Sequence, residues 1–183
     1  PRRIHAHGDP AIDMSSSAAA IENRLGDALR ETDGTIAVAE SCTGGLMSSL
    51  LTDVPGSSDY FGRGLVTYSS RAKRNLLGVS RESLDAHGAV SAPVAREMAR
   101  GARDTAAATW GVATTGIAGP DGGTDEKTVG TVYIGVAYAG EWGSGESTAS
   151  AEHHVFDGTR REIKEKSARR ALEATLNALD MRR

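Results

Sequence analysis

The fold class this sequence predicts is a three-layer α/β/α sandwich with a mixed β-sheet, and three observations predict it. Helical and strand periodicities interleave along most of the chain. Residues 129–139 are apolar or small on both faces (Val132, Ile134 and Val136 against Val129, Thr131 and Tyr133), as a strand covered on both sides must be. Residues 147–156 then form a second strand directly after the first, so the two predict a hairpin and with it an antiparallel pair.

The remaining elements follow in order. Residues 18–32 carry Ile21, Leu25, Ala28 and Leu29 at helical spacing with charges between them, and Asp33-Gly34 ends that helix. Residues 35–39 read as a short buried strand. The pair Gly44-Gly45 opens a second helix over 46–51, which stops before Val54-Pro55-Gly56. Residues 60–68 make a second strand. Ser80 and Ser91 stand where helix caps stand, and Val94, Ala95, Met98, Ala102 and Ala106 form an apolar stripe behind Ser91. Residues 110–115 are a further strand. The strand at 147–156 is more polar, which places it toward an edge. Ile163, Ala168, Ala171, Leu172, Leu176 and Leu179 share one side of a long final helix.

The chain of 183 residues fits one domain over residues 16–183, following an aperiodic, two-proline segment at 1–15 expected to be a flexible tail, within which Met14 could be a start. Hydrophobic residues make up 39% and aromatics 4%, so the core must be built from Ala, Val, Leu and Ile. A net charge of -3 gives no pull toward nucleic acid or an anionic membrane. The single cysteine excludes an internal disulfide framework and a multi-thiolate zinc site. No apolar run approaches the roughly 20 residues that cross a bilayer. A cytoplasmic protein without nucleic-acid or membrane partners is the expectation.

Three stretches carry chemistry. In Ala39-Glu40-Ser41-Cys42-Thr43-Gly44-Gly45, hydroxyls and a thiol sit between a strand and a helix, around whose first turn free N–H groups can hold an anion. The plain alternative is a helix cap beside a close helix–sheet contact. In Val66-Thr67-Tyr68-Ser69-Ser70-Arg71-Ala72-Lys73-Arg74, Lys73 could serve a serine as its base if the amine is neutral. The alternative is a solvated face made of Arg71, Lys73 and Arg74. In the third stretch, Thr114 to Thr124, the hydroxyls of Thr114 and Thr115 leave a strand and enter a glycine-rich loop from Gly116, where Thr115 and the backbone amides could hold a phosphate or a carbonyl oxygen, or the glycines simply turn the chain. Arg160 is an anion clamp or a surface arginine. His87, His153 and His154 read as structural or surface residues, and Cys42 as a small buried residue.

Taken together, AESCTGG at 39–45, LTDVPGSSDYF at 51–61, VTYSSRAK at 66–73, LLGV at 76–79, HGAVS at 87–91, TGIAGPDGGT at 115–124 and VGTVYIG at 129–135 resemble the CinA C-terminal domain family. Enzymatic members of that family are nicotinamide-nucleotide amidohydrolases (NMN deamidases). The resemblance implies a mixed α/β/α sandwich that self-associates, with a dimer among its forms, and needs no cofactor or metal. It implies Ser41 as nucleophile, Lys73 as its base and Tyr68 as the residue orienting the dyad or the amide. Backbone N–H groups over Cys42, Thr43, Gly44 and Gly45 would stabilise the oxyanion, and Thr115, Gly116 and Arg160 would grip ribose and 5'-phosphate. The chain departs from the family pattern at Ser70-Arg71, where Asn-Glu is usual, at Thr159, where Asp is usual, and at Lys164, where an arginine is usual. Arg71 beside Lys73 could lower its pKa or disturb substrate fit. A noncatalytic nucleotide-sensing module and a hydrolase of another small carboxamide are the alternative functions.

Overall fold

The computed structural model describes residues 19–183. The expected tail at 1–15 and the Met14 start lie outside the described residues. The order of elements is α1 (Ile21–Glu31), β1 (Ile36–Glu40), α2 (Leu46–Thr52), β2 (Phe61–Val66), α3 (Ser70–Leu77), α4 (Arg81–His87), α5 (Ala92–Thr105), β3 (Trp110–Gly116), β4 (Thr131–Tyr138), β5 (Thr148–Val155) and α6 (Arg160–Asp180). The strands form one mixed sheet in the order β2-β1-β3-β4-β5. β1 runs parallel to both β2 and β3, whereas β3–β4 and β4–β5 are antiparallel. The late hairpin, the interior position of β4 and the edge position of β5 all match the sequence pattern.

Alternation along the strands builds two cores. Ile36 and Val38 of β1, Val112 of β3 and Val132, Ile134 and Val136 of β4 face α1, α2 and α6. Ala37, Ala39, Ala113 and Ala137 face α5, together with Leu77 and Val79. That second face is small because α5 lies directly on the sheet. A Cβ on Gly111 would run into the Ala99 carbonyl, and one on Gly135 into the Ala95 carbonyl. Close backbone contact therefore replaces bulk, which is how a chain so poor in aromatics fills its interior.

Several boundaries differ from the sequence reading. The expected strand at 60–68 is confined to Phe61–Val66, and Val129 precedes β4 instead of joining it. Ser80 caps α4 by accepting from the Ser83 N–H at 3.1 Å. Ser91 stands before α5 but caps nothing; its hydroxyl donates to the Gly88 carbonyl at 2.9 Å, and Pro93 in the first turn reduces the need for a cap. His154 sits 2.9 Å from Glu152 and stacks on Phe156, while His153 stacks on Tyr133, in keeping with structural and surface roles.

Candidate active site

The chain leaves β1 toward β2 through α2 on one face, then crosses from β2 to β3 through α5 on the other. The carboxyl end of β1, between two connections that depart in opposite directions, is the switch point where open α/β sheets bind ligands. Ser41 is the first residue past β1. Its N–H donates to the Thr114 carbonyl of β3 at 3.1 Å, and on the other side the Thr67 N–H reaches the Glu40 carbonyl at 2.7 Å.

Ser41, Cys42 and Thr43 do not form the first turn of α2, as the sequence spacing suggested. They belong to a separate turn, closed by Gly44 and Gly45 at φ +60° and +103°, conformations that glycine adopts without strain. Nor are the amides of α2 free for an anion. The Glu40 carboxylate, with no exposure, accepts from the N–H groups of Gly45 (3.0 Å), Met47 (3.0 Å) and Ser48 (2.8 Å). It also accepts from the hydroxyls of Thr43 (2.7 Å) and Ser48 (2.8 Å). An internal carboxylate thus occupies the positive end of the helix. The Thr43 hydroxyl, also 2.8 Å from Thr114 Oγ1, is spent within this network and is unavailable to a ligand.

Lys73 is carried by α3, whose N-cap Ser69 accepts from the Ala72 N–H at 3.1 Å. Of the basic run, Arg71 and Arg74 are exposed, but Lys73 is buried on the side of Leu77. Its Nζ lies 2.9 Å from Ser41 Oγ, 2.8 Å from the Thr67 carbonyl and 3.0 Å from the Tyr68 carbonyl. A neutral amine has two N–H donors and one lone pair. Two carbonyls take the donors, and the lone pair is left for the serine proton. Burial pushes the Lys73 pKa down from 10.5 to about 8, so a neutral fraction exists near neutral pH. The cause is desolvation; the exposed Arg71 plays no part in it. Cys42, by contrast, is buried and its pKa is pushed up to about 11, chiefly by desolvation, so it is held as an inert thiol.

Ser41, Cys42, Tyr68, Lys73, Thr115, Gly116 and Arg160 come together around a cavity of about 180 Å³, with Ala89 and Val90 on its remaining side. The Thr115 hydroxyl donates to the Ala89 carbonyl at 2.8 Å and so ties the 87–91 segment to β3. Gly116 is dictated by packing, since a Cβ there would meet the Thr131 carbonyl. The Tyr68 side chain is exposed and its hydroxyl makes no hydrogen bond to Lys73; it accepts from Arg160 Nη2 at 3.2 Å. Arg160 Nη1 donates to the Gly119 carbonyl at 2.5 Å. Arg160 therefore joins the glycine-rich loop to the β2–α3 connection at the cavity that Ser41 and Lys73 line. Thr159, in place of the usual Asp, caps α6 fully: its hydroxyl accepts from the Glu162 N–H, and the Glu162 carboxylate accepts from the Thr159 N–H.

A second, open cleft of about 590 Å³ shares Arg160 with this cavity and lies between the Thr43–Leu46 turn and the first two turns of α6. Gly44 and Gly45 line this cleft and not the cavity at Ser41. Lys164 lines it as well, whereas Ser70 and Arg71 line neither space. Among the described residues no three His, Cys, Asp or Glu side chains converge as a metal would require, and no helix is long and apolar enough to cross a membrane.

Sequence reasoning missed Glu40, Ala89-Val90 and the Gly119 carbonyl. Glu40 alone left a signal: an acid closing an apolar strand, directly before a turn rich in amides. The comparisons with known proteins agree with the fold. Residues 18–179 match the CinA C-terminal domain. The CinA-like protein of Chlorobaculum tepidum is 49% identical over 162 residues, covering 88% of this chain and 38% of that protein. The chain spans about a third of the length of the curated relatives it matches, 38%, 35% and 37% for three of them. Among solved structures, competence/damage inducible protein CihA from Agrobacterium tumefaciens superposes with a TM-score of 0.80 at 39% identity, covering 91% of this chain and 99% of that one. Competence damage-inducible protein A (ComA) from Klebsiella pneumoniae gives 0.81 at 31% identity, with 87% and 95% covered.

Proposed function

The chain belongs to the CinA C-terminal domain family, and we propose that it hydrolyses the carboxamide of nicotinamide mononucleotide to nicotinate mononucleotide and ammonia. The observation that carries this reading is the buried Lys73 amine, 2.9 Å from Ser41 Oγ, with its two other hydrogen-bonding directions filled by carbonyls. Such a pair is built to move one proton. The choice of this amide follows from the family resemblance.

Ser41 Oγ attacks the carboxamide carbon as its proton passes to Lys73 Nζ. The carbonyl oxygen becomes an oxyanion. Gly44 N–H is spent on the Ser41 carbonyl, Gly45 N–H on Glu40, and Thr43 lines only the larger cleft, so the Cys42 N–H is the donor of the turn left at the cavity to stabilise it. The tetrahedral intermediate collapses and the C–N bond breaks. Lys73 returns the proton to the departing nitrogen, and ammonia leaves a nicotinoyl ester on Ser41. Water then adds to the ester with Lys73 as base, and the serine oxygen is released. Tyr68 contributes its carbonyl to orient Lys73 and its hydroxyl to hold Arg160, which closes the cavity on the substrate.

The test is ammonia release by the purified protein across a panel of nicotinamide mononucleotide, its riboside and other small carboxamides. Ser41→Ala should abolish release while Cys42→Ala retains most of it. A fully active Ser41→Ala protein would overturn the serine mechanism. Release from another amide alone would reassign the substrate, and none from any would favour a noncatalytic nucleotide-binding module.

A further inference from the structure

The cavity at Ser41 is about 180 Å³, below the roughly 300–1,000 Å³ of pockets that enclose a whole small-molecule ligand. It suits one ring and its carboxamide. The rest of a nucleotide must lie beyond Arg160, the wall shared with the 590 Å³ cleft. An anionic group entering that cleft cannot use the amides of α2, because Glu40 already occupies them. Thr115 lines only the smaller cavity, with its hydroxyl proton on Ala89. The Arg160 guanidinium is divided between Gly119 and Tyr68.

Lys164 is different. It lies on α6 one turn after Arg160, half-buried, and among the described residues it has no hydrogen-bond or ion-pair partner. Its Nζ stands 3.5 Å from where a Cβ on Gly44 would be, so the ammonium lies over the bare backbone of the serine turn. Arg161 beside it is paired with Glu165 at 3.3 Å. The cleft thus presents Arg160, Arg161 and Lys164 against a single carboxylate, in a protein whose net charge is -3. Leu46 and Ser49 supply an apolar wall and a hydroxyl on the facing side.

We infer that this cleft is an anion subsite in which Lys164 is the principal ligand of a phosphate monoester, so that the substrate straddles Arg160 with its amide at Ser41 and its phosphate over Gly44. The inference rests on the proposed function for the identity of the nucleotide, but not for the presence of the anion site. Lys164 confers preference for the phosphorylated substrate, and Arg160 ties down the partition between the two spaces.

The experiment measures binding of nicotinamide mononucleotide, nicotinamide riboside and inorganic phosphate, by calorimetry and amide chemical shifts. It uses the catalytically silent Ser41→Ala protein with Lys164 retained or changed to Gln or Arg. Lys164→Gln should weaken the mononucleotide about tenfold or more, as expected for a lost charged contact, and leave the riboside within about twofold. Lys164→Arg should restore most of the affinity. Inorganic phosphate should shift the Gly44 and Gly45 amides in the Lys164 protein and not in Lys164→Gln. If neither nicotinamide ligand binds but these phosphate shifts appear, the anion subsite stands and the substrate assignment falls. Equal losses for mononucleotide and riboside, an unchanged mononucleotide affinity, or phosphate shifts that are absent or survive Lys164→Gln would each overturn the subsite.

Discussion

A lysine with 1% exposure must find a counter-charge or give up its proton, and among the described residues Lys73 has no carboxylate at ion-pair distance. Its depressed pKa has a consequence for stability that is separate from catalysis. Between about 8, the folded value, and the ordinary 10.5, the unfolded chain binds this proton and the folded chain does not. Folding stability must therefore rise with pH across that window. Below about pH 8 the folded protein carries the buried charge, and the gain is absent. The full shift corresponds to about 3 kcal/mol at most. Replacing Lys73 by Met should flatten this rise, measured as the difference between wild-type and variant urea midpoints from pH 8 to 10.5. Parallel profiles would mean that Lys73 titrates as a solvated lysine. Composition alone made it look like one, between Arg71 and Arg74. Only its place four residues before Leu77, on the buried side of α3, marks it as internal.

At the scale of elements, the interleaved strands and helices were readable because their apolar periods are clean, and β4 was placed in the interior by its two-sided apolarity. The turn after β1 was not readable. A strand, two glycines and a helix suggested an open helix N-terminus, and nothing in local spacing shows that Glu40 folds back to fill it. That carboxylate fixes the entry of α2 and, through the turn, the position of Ser41. Glu40→Gln keeps the shape but places an amide NH₂ against backbone donors, leaving buried groups unsatisfied at about 1–3 kcal/mol. Turnover should fall on the order of 10²-fold, because small displacements of a reacting group cost about that much. The midpoint of thermal unfolding should fall as well. Assays well below that midpoint separate the two effects: normal turnover there would limit Glu40 to stability.

At the scale of the whole molecule, the site exists only because three parallel strands end together. Ser41 follows β1, Tyr68 and Lys73 follow β2, Thr115 closes β3 with Gly116, and Arg160 opens α6 after the hairpin has returned the chain. Ser41 and Lys73 are 32 residues apart in sequence, and only the pairing of β1 with β2 places them 2.9 Å apart. No local pattern could supply that distance; the family resemblance implied only that the two residues act as partners. The division of the binding region into two spaces at Arg160 was hidden for the same reason, since its walls come from five distant segments.

The proposed chemistry turns on Lys73 taking the proton from Ser41. It is tested most directly by single-turnover deamidation of saturating nicotinamide mononucleotide as a function of pH, comparing wild type with Lys73→Arg. Guanidinium keeps the charge but stays protonated, so it cannot act as the base. The wild-type rate should rise with pH through one ionisation near 8, where the Lys73 amine becomes neutral, and then level off. Lys73→Arg should lose about 10²–10⁴-fold and show no such rise, with its circular dichroism and nucleotide affinity intact. Comparable rates in the two proteins, or a wild-type rate that falls as the amine is deprotonated, would mean that Lys73 is not the base.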